Sequence, residues 1–455
     1  MQLRQLTDIP CGLRFMIDDL EIHSGYARRL LLDSEMCKDR NVLEHEYSVL
    51  SAFYDAVSSS ENRISVDTLM FKLCNLKDLA GTFRSLRNKS VLNEIELFEV
   101  KYLAILSAEI KSVMRELHLD EYVHIPDLAE VVSLLDPDGL RIASFYIYDS
   151  YSDRLKYLRG IMKNSETVDE DVFNEIAEIE DEIRGHLSAS LQQYADALHD
   201  AQKALAIIDL NIAKARQMTK MGLCFPSVED DKTWYEGMFN PEVKAILNKN
   251  NKDYQAVDIC LGKMPTIITG ANMGGKTVVI KTLALCQFLF QFAMGIPSKR
   301  AGIMLQNDVF CCFTDEQSVE KGLSSFAAEM HNIDAIIKAS RKESRFLALV
   351  DEPARTTNPT EGTALVSALV KLLQDKDLSL VIVTHYNIKT FNSRCLRVTG
   401  FENGKMNYSL VEAKEGDVPH EALNIAEALG VDEEWIADAK MLLDDEYNGN
   451  TINKI

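Results

Sequence analysis

The sequence predicts a helical N-terminal part followed by an α/β domain with a mostly parallel sheet. Upstream of about residue 217, apolar residues recur at spacings of three and four, which is typical of helices that bury one face. Downstream, short aliphatic runs alternate with helical patterns and end at glycine or polar turns. Strands that alternate with helices indicate an α/β domain, so the chain divides near residue 217.

Composition places the chain among ordinary globular proteins. Of 455 residues, 46 % are hydrophobic and 26 % are charged, which excludes wholesale disorder and suggests two or three domains. No apolar run approaches the roughly 18 residues of a membrane span. Charged residues interrupt the N-terminal segment, so it lacks the continuous apolar core of a signal peptide. We therefore expect a soluble, cytoplasmic protein with no membrane partner.

The chain is acidic and its cysteines are dispersed. It has 49 Lys or Arg and 70 Asp or Glu residues, a net charge of −21, whereas a DNA-binding surface needs clustered basic residues. A local basic face can still coexist with an acidic whole. The nine cysteines include no C-x-x-C pair, which disfavours a disulfide framework and a cysteine metal site, so we expect reduced, mostly buried thiols.

Two apolar series predict long helices in the N-terminal part. The first has steps of three or four: Leu103, Leu106, Ile110, Val113 and Leu117. The second keeps the same steps over a greater length, as in a coiled-coil seam: Ile176, Ile179, Ile183, Leu187, Leu191, Tyr194, Leu198, Ala201, Leu205, Ile208 and Ile212. Such a helix would be roughly 50 Å long. We expect it to protrude as an arm beside an antiparallel partner.

The start of this arm is acidic. Residues 166–184 include nine acidic residues and one basic residue. The simpler interpretation is a solvated helix start, where acidic side chains interact favourably with the positive end of the helix dipole. The functional interpretation is that this part of the arm would repel a phosphate backbone. The sequence leaves both interpretations open.

A glycine-rich segment follows the first of three predicted central strands, which are residues 266–269, 346–350 and 378–383. The segment fits the pattern G-x-x-x-x-G-K-[ST] with Gly270, Ala271, Asn272, Met273, Gly274, Gly275, Lys276 and Thr277. Between a strand and a helix, such a loop directs backbone N–H groups at phosphates. Lys276 would reach the β- and γ-phosphates, and the Thr277 hydroxyl would bind Mg²⁺. The alternative is a glycine-rich turn with a solvated lysine.

The other two predicted strands end in residues suited to nucleotide hydrolysis. Asp351 and Glu352 follow one strand, where Asp351 would support Mg²⁺ and Glu352 would act as the general base that polarises water. His385 follows the other strand, on the ligand side of an open α/β sheet, where it can sense or stabilise the γ-phosphate. The alternatives are a solvated acidic loop and a histidine that only ends a strand.

These motifs resemble those of the MutS family of mismatch-repair ATPases. The Asn-Met-Gly-Gly-Lys core of the P-loop is far more distinctive than a generic Walker A motif. The run from Asp351 to Gly362 is similar to that family's Walker B motif and following loop, and Val383-Thr-His-Tyr386 is similar to its switch histidine. Leu323-Ser-Ser-Phe326 with Glu329-Met330 resembles its signature segment.

The resemblance implies an ABC-like P-loop ATPase domain, C-terminal to an all-α core and lever domain. It implies that residues 1–217 form the core and lever domain, that 218–412 form the ATPase domain and that 413–455 form a helical dimerisation segment. It also implies a homodimer with ATP and Mg²⁺ at composite sites. There Ser324 of one subunit would complete the γ-phosphate shell that Lys276, Asp351 and Glu352 of the other subunit form.

The chain also departs from the family pattern. Ala271 replaces a usual proline, and Pro353-Ala354 replaces an aliphatic residue and glycine, which should leave the nucleotide contacts intact. We expect no mismatch-reading, connector or clamp domain and no nuclease-like tail. The only Phe-Tyr-Asp, which begins at Phe53, lies in a helical region, and we interpret it as core and not as a base-stacking wedge.

The sequence leaves two functions open. The family-level one is an ATP-switched dimer in DNA mismatch repair that holds structured double-stranded DNA between its levers. The alternative is a protein-remodelling ATPase that reactivates a cobalamin-dependent amino-acid aminomutase, whose partner is that enzyme or a second reactivase subunit. The segments 92–98 and 144–149 resemble the reactivase subgroup. A nucleotide-binding scaffold without turnover is disfavoured because Glu352 and His385 are present.

Overall fold

The structure is a computed structural model that describes residues 1–141, 146–164, 170–270, 275–313, 325–342, 345–402, 405–413, 423, 426–427 and 430–452. The chain forms two compact units. One, here called the sheet unit, contains Met1–Asp19, Glu35–Tyr47 and Lys220–Ile455. The other, the helical unit, contains Leu20–Ser34 and Ser48–Thr219. Within the described ranges, no helix is both long enough and apolar enough to cross a bilayer.

The units confirm a helical N-terminal region and sheets in the C-terminal part, but the N-terminal residues divide differently from the expectation. The sequence assigned residues 1–217 to one helical domain, whereas Met1–Asp19 and Glu35–Tyr47 belong to the sheet unit. These segments bond to the end of the helix that follows the P-loop: Gln291 Nε2 donates to Cys37 O at 2.6 Å, and the Tyr47 hydroxyl donates to Phe290 O at 3.1 Å. A separate segment 413–455 stays a prediction.

The α-helices of the described ranges are α1 (Leu3–Leu6), α2 (Leu13–Asp18), α3 (Gly25–Asp33), α4 (Arg40–Ser58), α5 (Arg63–Leu73), α6 (Ala80–Arg87), α7 (Glu94–Glu116), α8 (Ala129–Leu135), α9 (Asp153–Asn164), α10 (Glu170–Leu191), α11 (Ala195–Met221), α12 (Pro241–Lys249), α13 (Lys276–Gln291), α14 (Ser325–Ala339), α15 (Pro359–Leu373) and α16 (Glu433–Ile452). The strands are β1 (Ser227–Glu229), β2 (Thr233–Met238), β3 (Val257–Leu261), β4 (Thr266–Thr269), β5 (Arg300–Met304), β6 (Asp308–Cys312), β7 (Phe346–Asp351), β8 (Ser379–Val383), β9 (Arg394–Glu402) and β10 (Lys405–Glu412).

Helix α7 of the helical unit begins at a capping box. The Asn93 side chain accepts from Glu96 N at 2.9 Å, and the Glu96 carboxylate accepts from Asn93 N at 2.9 Å, which satisfies two N–H groups at the helix start. The first predicted apolar series lies on this helix or ends at its C-cap, and all five members are buried. The series therefore forms the core-facing stripe. Phe53 on α4 is also fully buried, as expected of a core residue.

The second predicted series lies on two helices joined by a short 3₁₀ segment. A 3₁₀ turn at Gln192–Tyr194 connects α10 to α11, and Leu191 and Ala195 on either side of it keep right-handed helical angles. Most of its members are buried, but the later part of α11 is buried on every face, including Ala204, Ala206 and Leu210. A helix buried all around is a core helix. The later part of α11 is therefore core, and protrusion of the series as an arm stays a prediction.

The acidic side chains of α10 favour the solvated interpretation. Glu175 and Glu180 pair with Arg154 and Arg159 of α9, with N–O distances of 2.7 Å in both pairs. Other acidic side chains of α10 are exposed, among them Glu178. Residues 166–169 lie outside the described residues. Helix α10 is therefore a partly paired, solvated helix joined to α9.

A buried lysine, aspartate and tyrosine link three segments of the helical unit. Lys101 on α7 donates to Asp136 Oδ1 at 3.0 Å and to the Tyr148 hydroxyl oxygen at 2.7 Å. That hydroxyl donates to the same Asp136 oxygen at 2.8 Å, and Arg141 N donates to the other oxygen. Burial opposes ionisation of Asp136, but the Arg141, Lys101 and Tyr148 donors outweigh it and lower the carboxyl pKa. The cluster stabilises a buried charge.

The sheet unit contains a large sheet with strand order β10-β9-β4-β8-β7-β6. Strands β9, β4, β8, β7 and β6 run parallel, and β10 is an antiparallel edge strand. All six residues of β7 are buried, as the continuous aliphatic runs predict for central parallel strands. A smaller mixed sheet has the order β1-β5-β2-β3. Because β4, β7 and β8 are parallel neighbours, their carboxyl ends meet at one edge, where Gly270, Asp351 and Thr384 lie.

Candidate functional site

The P-loop connects β4 to the N-terminus of α13. Gly270 and Gly275 have φ angles of +135° and +71°, which favour glycine over residues with a Cβ atom. A Cβ at Gly270 would also lie 3.4 Å from the Val398 side chain. Gly275 is the N-cap of α13, so the N–H groups of the first helical turn face the loop. Ala271, Asn272, Met273 and Gly274 lie outside the described residues.

Lys276 is the first residue of α13 and is only 3 % exposed. Its ammonium Nζ donates to Gly270 O at 2.6 Å, so the side chain folds back toward the end of β4. A buried cation beside the N-terminus of a helix favours an anion. The position suits the predicted phosphate contact.

Thr277 and Asp351 lie together as the sequence predicts. The Thr277 hydroxyl donates to Asp351 Oδ1 at 3.3 Å. Burial raises the pKa of Asp351, and the charge of Glu352 adds to this, whereas the Thr277 hydrogen bond and the charges of Lys281 and Lys276 oppose it. A hydroxyl and a carboxylate beside the phosphate loop are the oxygen ligands that Mg²⁺ prefers. These two residues therefore fit a magnesium site.

Glu352 begins a turn at the end of β7. Its N–H donates to Val383 O on β8 at 2.9 Å, and its carboxylate accepts from Arg355 Nη1 at 3.4 Å. Its φ is +45°, an uncommon conformation for a residue with a side chain, and only 9 % of the residue is exposed. The structure thus places Glu352 next to Asp351 in a sheltered position at the same edge of the sheet.

His385 lies at the carboxyl end of β8, beside β4. Thr384 N donates to Ile268 O at 3.0 Å, which joins this loop to the strand before the P-loop. The His385 side chain is exposed, and its ring contacts the Tyr386 ring at a centroid distance of 4.4 Å. His385 is at the predicted edge of the sheet. Its contact with a γ-phosphate stays a prediction.

Two residues that received no individual role from the sequence contact the turn after Glu352. Glu329 on α14 accepts from Ala354 N at 2.5 Å, and the Tyr386 hydroxyl donates to Ala354 O at 2.8 Å. Both residues stand in motif segments of the sequence, but nothing in their local pattern indicates this contact. Ser324 lies outside the described residues, and α14 begins at Ser325.

Comparison with known proteins identifies one domain of the chain. The sequence model of MutS domain V matches residues 266–439, which include the P-loop, the two acidic residues and the histidine described above. The chain therefore contains a MutS domain V. The comparisons do not test the resemblance to the reactivases of aminomutases, which stays a hypothesis.

The MutS-family relatives are proteins named Endonuclease MutS2. The one from Lactobacillus acidophilus is 31 % identical over 303 residues, which is 62 % of this chain and 36 % of the relative. The one from Listeria monocytogenes is 32 % identical over 274 residues, 58 % of this chain and 34 % of the relative. The one from Caldanaerobacter subterraneus is 29 % identical over 298 residues. The chain thus spans about a third of the length of these curated relatives.

Proposed function

We propose that this chain is a MutS-family ATPase that hydrolyses ATP to ADP and phosphate and acts as a dimeric, ATP-driven switch. The observation that supports this most directly is the contact between Thr277 and Asp351 at the N-terminus of α13, with Glu352 adjacent. A phosphate cradle, two Mg²⁺ ligands and a sheltered carboxylate base are the parts that phosphoryl transfer to water requires.

Each residue has a defined task in this proposal. The N–H groups of the P-loop and of α13 bind the phosphates, and Lys276 exchanges its hydrogen bond to Gly270 O for phosphate oxygens. Thr277 and Asp351 hold Mg²⁺, which supplies charge neutralisation of the transferred phosphoryl group when bound. Glu352 accepts a proton from the attacking water, and His385 orients toward the γ-phosphate from the end of β8.

The proposal includes an ABC-like ATPase arrangement in which two subunits complete each site. Ser324 of one subunit would bind the γ-phosphate at the other subunit's P-loop. Helix α16 supports a dimerisation role for residues 413–455, because its side chains Trp435, Met441 and Leu442 are 65 %, 58 % and 70 % exposed. Apolar side chains exposed together on one helix favour a partner surface.

The proposal predicts magnesium-dependent turnover that rises with protein concentration. Because each site needs two subunits, phosphate release per chain should increase through the concentration range in which sedimentation detects dimers. EDTA should abolish the activity by removing the Mg²⁺ that Thr277 and Asp351 would hold. A chain that stays monomeric and releases no phosphate with Mg·ATP at any concentration would contradict the proposal.

The family-level role is action on structured double-stranded DNA in mismatch repair. We infer it from the MutS domain V and from the relatives named Endonuclease MutS2. The alternative is ATP-dependent reactivation of a cobalamin-dependent aminomutase, in which the levers act on a protein. The acidic, solvated α10 favours this alternative, because its exposed carboxylates would repel a phosphate backbone.

DNA binding and its salt dependence separate these two roles. Anisotropy of labelled homoduplex, mismatched and branched DNA should be measured with the ATP-bound dimer at several salt concentrations. A DNA-acting protein that contacts about six phosphates should lose about 10³-fold in affinity between about 50 and 200 mM salt. No binding at low salt would exclude the DNA role. The alternative would then require ATP-dependent recovery of an inactivated aminomutase.

A further inference from the structure

The turn that follows the acidic pair is conformationally strained. Glu352 and Ala354 flank Pro353, and their φ angles are +45° and +61°. Residues with a Cβ atom rarely adopt these left-handed values, because the side chain approaches the following carbonyl oxygen. Such a conformation persists only where the surroundings hold it. The conformation of Glu352, the proposed base, therefore depends on contacts from outside the turn.

Two side chains from separate elements bind the same residue of this turn. The Glu329 carboxylate on α14 accepts from Ala354 N at 2.5 Å. The Tyr386 hydroxyl, from the loop after β8, donates to Ala354 O at 2.8 Å. Both backbone polar groups of Ala354 are thus satisfied by side chains. We call Glu329, Ala354 and Tyr386 the Ala354 clamp.

The tyrosine side of the clamp is fixed by its own surroundings. Tyr386 is buried, and its N–H donates to Thr384 Oγ1 at 3.0 Å. Its hydroxyl lies so close to α15 that a Cβ atom added at Gly362 would be 2.7 Å from the oxygen. Gly362 is therefore required for the close approach of Tyr386. This half of the clamp has little freedom to move.

The glutamate side is carried by α14. Burial raises the pKa of Glu329, and the Ala354 N–H opposes this because it binds the ionised form. Apolar packing between α14 and the turn is incomplete, since a groove of about 250 Å³ is lined by Met330 and Ile333 of α14 and by Pro353 and Ala354. The hydrogen bond from Ala354 is therefore an important link between this helix and the turn.

We propose that Glu329 is a positioning residue for ATP hydrolysis. Its carboxylate holds the turn in the strained conformation that directs Glu352 toward the attacking water. A displacement of α14 changes the position of Ala354 and hence of Glu352. This inference rests on the proposed ATPase function, because it assigns Glu329 an effect on the reaction and not on nucleotide binding. Glu329 binds the backbone of Ala354, whereas Lys276 bonds Gly270 O and Thr277 bonds Asp351.

The test compares Glu329→Ala with Glu329→Gln. Alanine removes the acceptor for Ala354 N, whereas the glutamine side-chain oxygen can still accept that hydrogen bond. We expect Glu329→Ala to lower kcat about tenfold with KM for Mg·ATP unchanged within about twofold, because misplacement of a reacting group impairs the reaction step. Glu329→Gln should restore most of kcat. Asp334→Ala on the same helix, at a half-exposed residue that pairs with Lys338, is the matched control and should keep wild-type kcat.

Further variants separate positioning from a loss of stability. Tyr386→Phe removes the other contact of the clamp and should also lower kcat selectively, which tests the clamp even if Glu329→Ala does not fold. Adding Glu329→Ala to Glu352→Gln should cause no further loss, because the turn then carries no base. Wild-type kcat in Glu329→Ala, or an equal loss in Glu329→Gln, would overturn the inference. Wild-type chain without any ATPase activity would instead overturn the proposed function.

Discussion

Replacing Glu352 with glutamine should abolish steady-state ATP hydrolysis while leaving Mg·ATP binding intact. Glutamine keeps the size of the side chain and can still bond Arg355, but it cannot accept a proton from water. Removal of a positioned general base typically lowers a rate by about 10²- to 10⁴-fold. Lys276, Thr277 and Asp351 are unchanged, so the affinity for labelled nucleotide should stay near the wild-type value. Phosphate release and equilibrium nucleotide binding together measure this result.

The control for this variant is Glu361→Gln on the first turn of α15. Glu361 is exposed and accepts a hydrogen bond from Thr357 at 3.3 Å, so it is a carboxylate near the site without a proposed role in hydrolysis. It should retain wild-type turnover. Normal phosphate release by Glu352→Gln would show that another group activates water.

Replacing Lys101 with methionine should destabilise the helical unit by about 3 kcal/mol or more at neutral pH. Methionine matches the length of the lysine stem but leaves the Asp136 charge buried with Arg141 N and Tyr148 as its remaining donors among the residues that the structure describes. Lys111→Met is the control, because Lys111 lies on the same helix and is partly exposed. It should change the free energy of unfolding by less than about 0.5 kcal/mol. Urea unfolding followed by circular dichroism measures both variants.

The pH dependence of this difference provides a second check. In the wild type the pKa of Asp136 is lowered in the folded state, so its stabilising contribution is present above the unfolded pKa of about 4 and is lost as the pH falls below it. In Lys101→Met, Asp136 remains buried but has lost the charge of the lysine, so the folded-state pKa of Asp136 should rise. Asp136 can then take up a proton as the pH falls from neutral. The destabilisation relative to wild type should therefore shrink on acidification, and a constant difference would contradict this account.

The central strands were predictable because their residues are almost all aliphatic. A continuous run such as 346–350 has no polar face, so it requires cover on both sides of a sheet. The assignment of Met1–Asp19 and Glu35–Tyr47 to the sheet unit was not predictable, since it depends on contacts such as Gln291 with Cys37, which lie 254 residues apart. The 3₁₀ turn at Gln192–Tyr194 lies within a series whose apolar spacing continues across it, so spacing alone could not reveal this change of helix type.

The site shows the same distinction. The positions of Lys276, Thr277 and Asp351 near the end of β4 were predictable, because the P-loop pattern fixes residue types and their spacing between a strand and a helix. The contacts of Glu329 and Tyr386 with Ala354 span 25 and 32 residues and involve only backbone atoms of the partner. Every residue type other than proline has the same backbone N–H and C=O groups, so the identity of residue 354 does not indicate these contacts. They can be recognised only in the folded structure.

The Ala354 clamp also limits how the sequence can change. A glycine at position 354 would adopt a φ of +61° without strain, so it would weaken the requirement for Glu329. Conversely, a side chain at position 362 would displace Tyr386. The loss of this contact would impair the turn most when residue 354 is not glycine. The effects of substitutions at these four positions are therefore epistatic. Divergent homologues would exchange them as a set, and a change tolerated in one sequence background would be harmful in another.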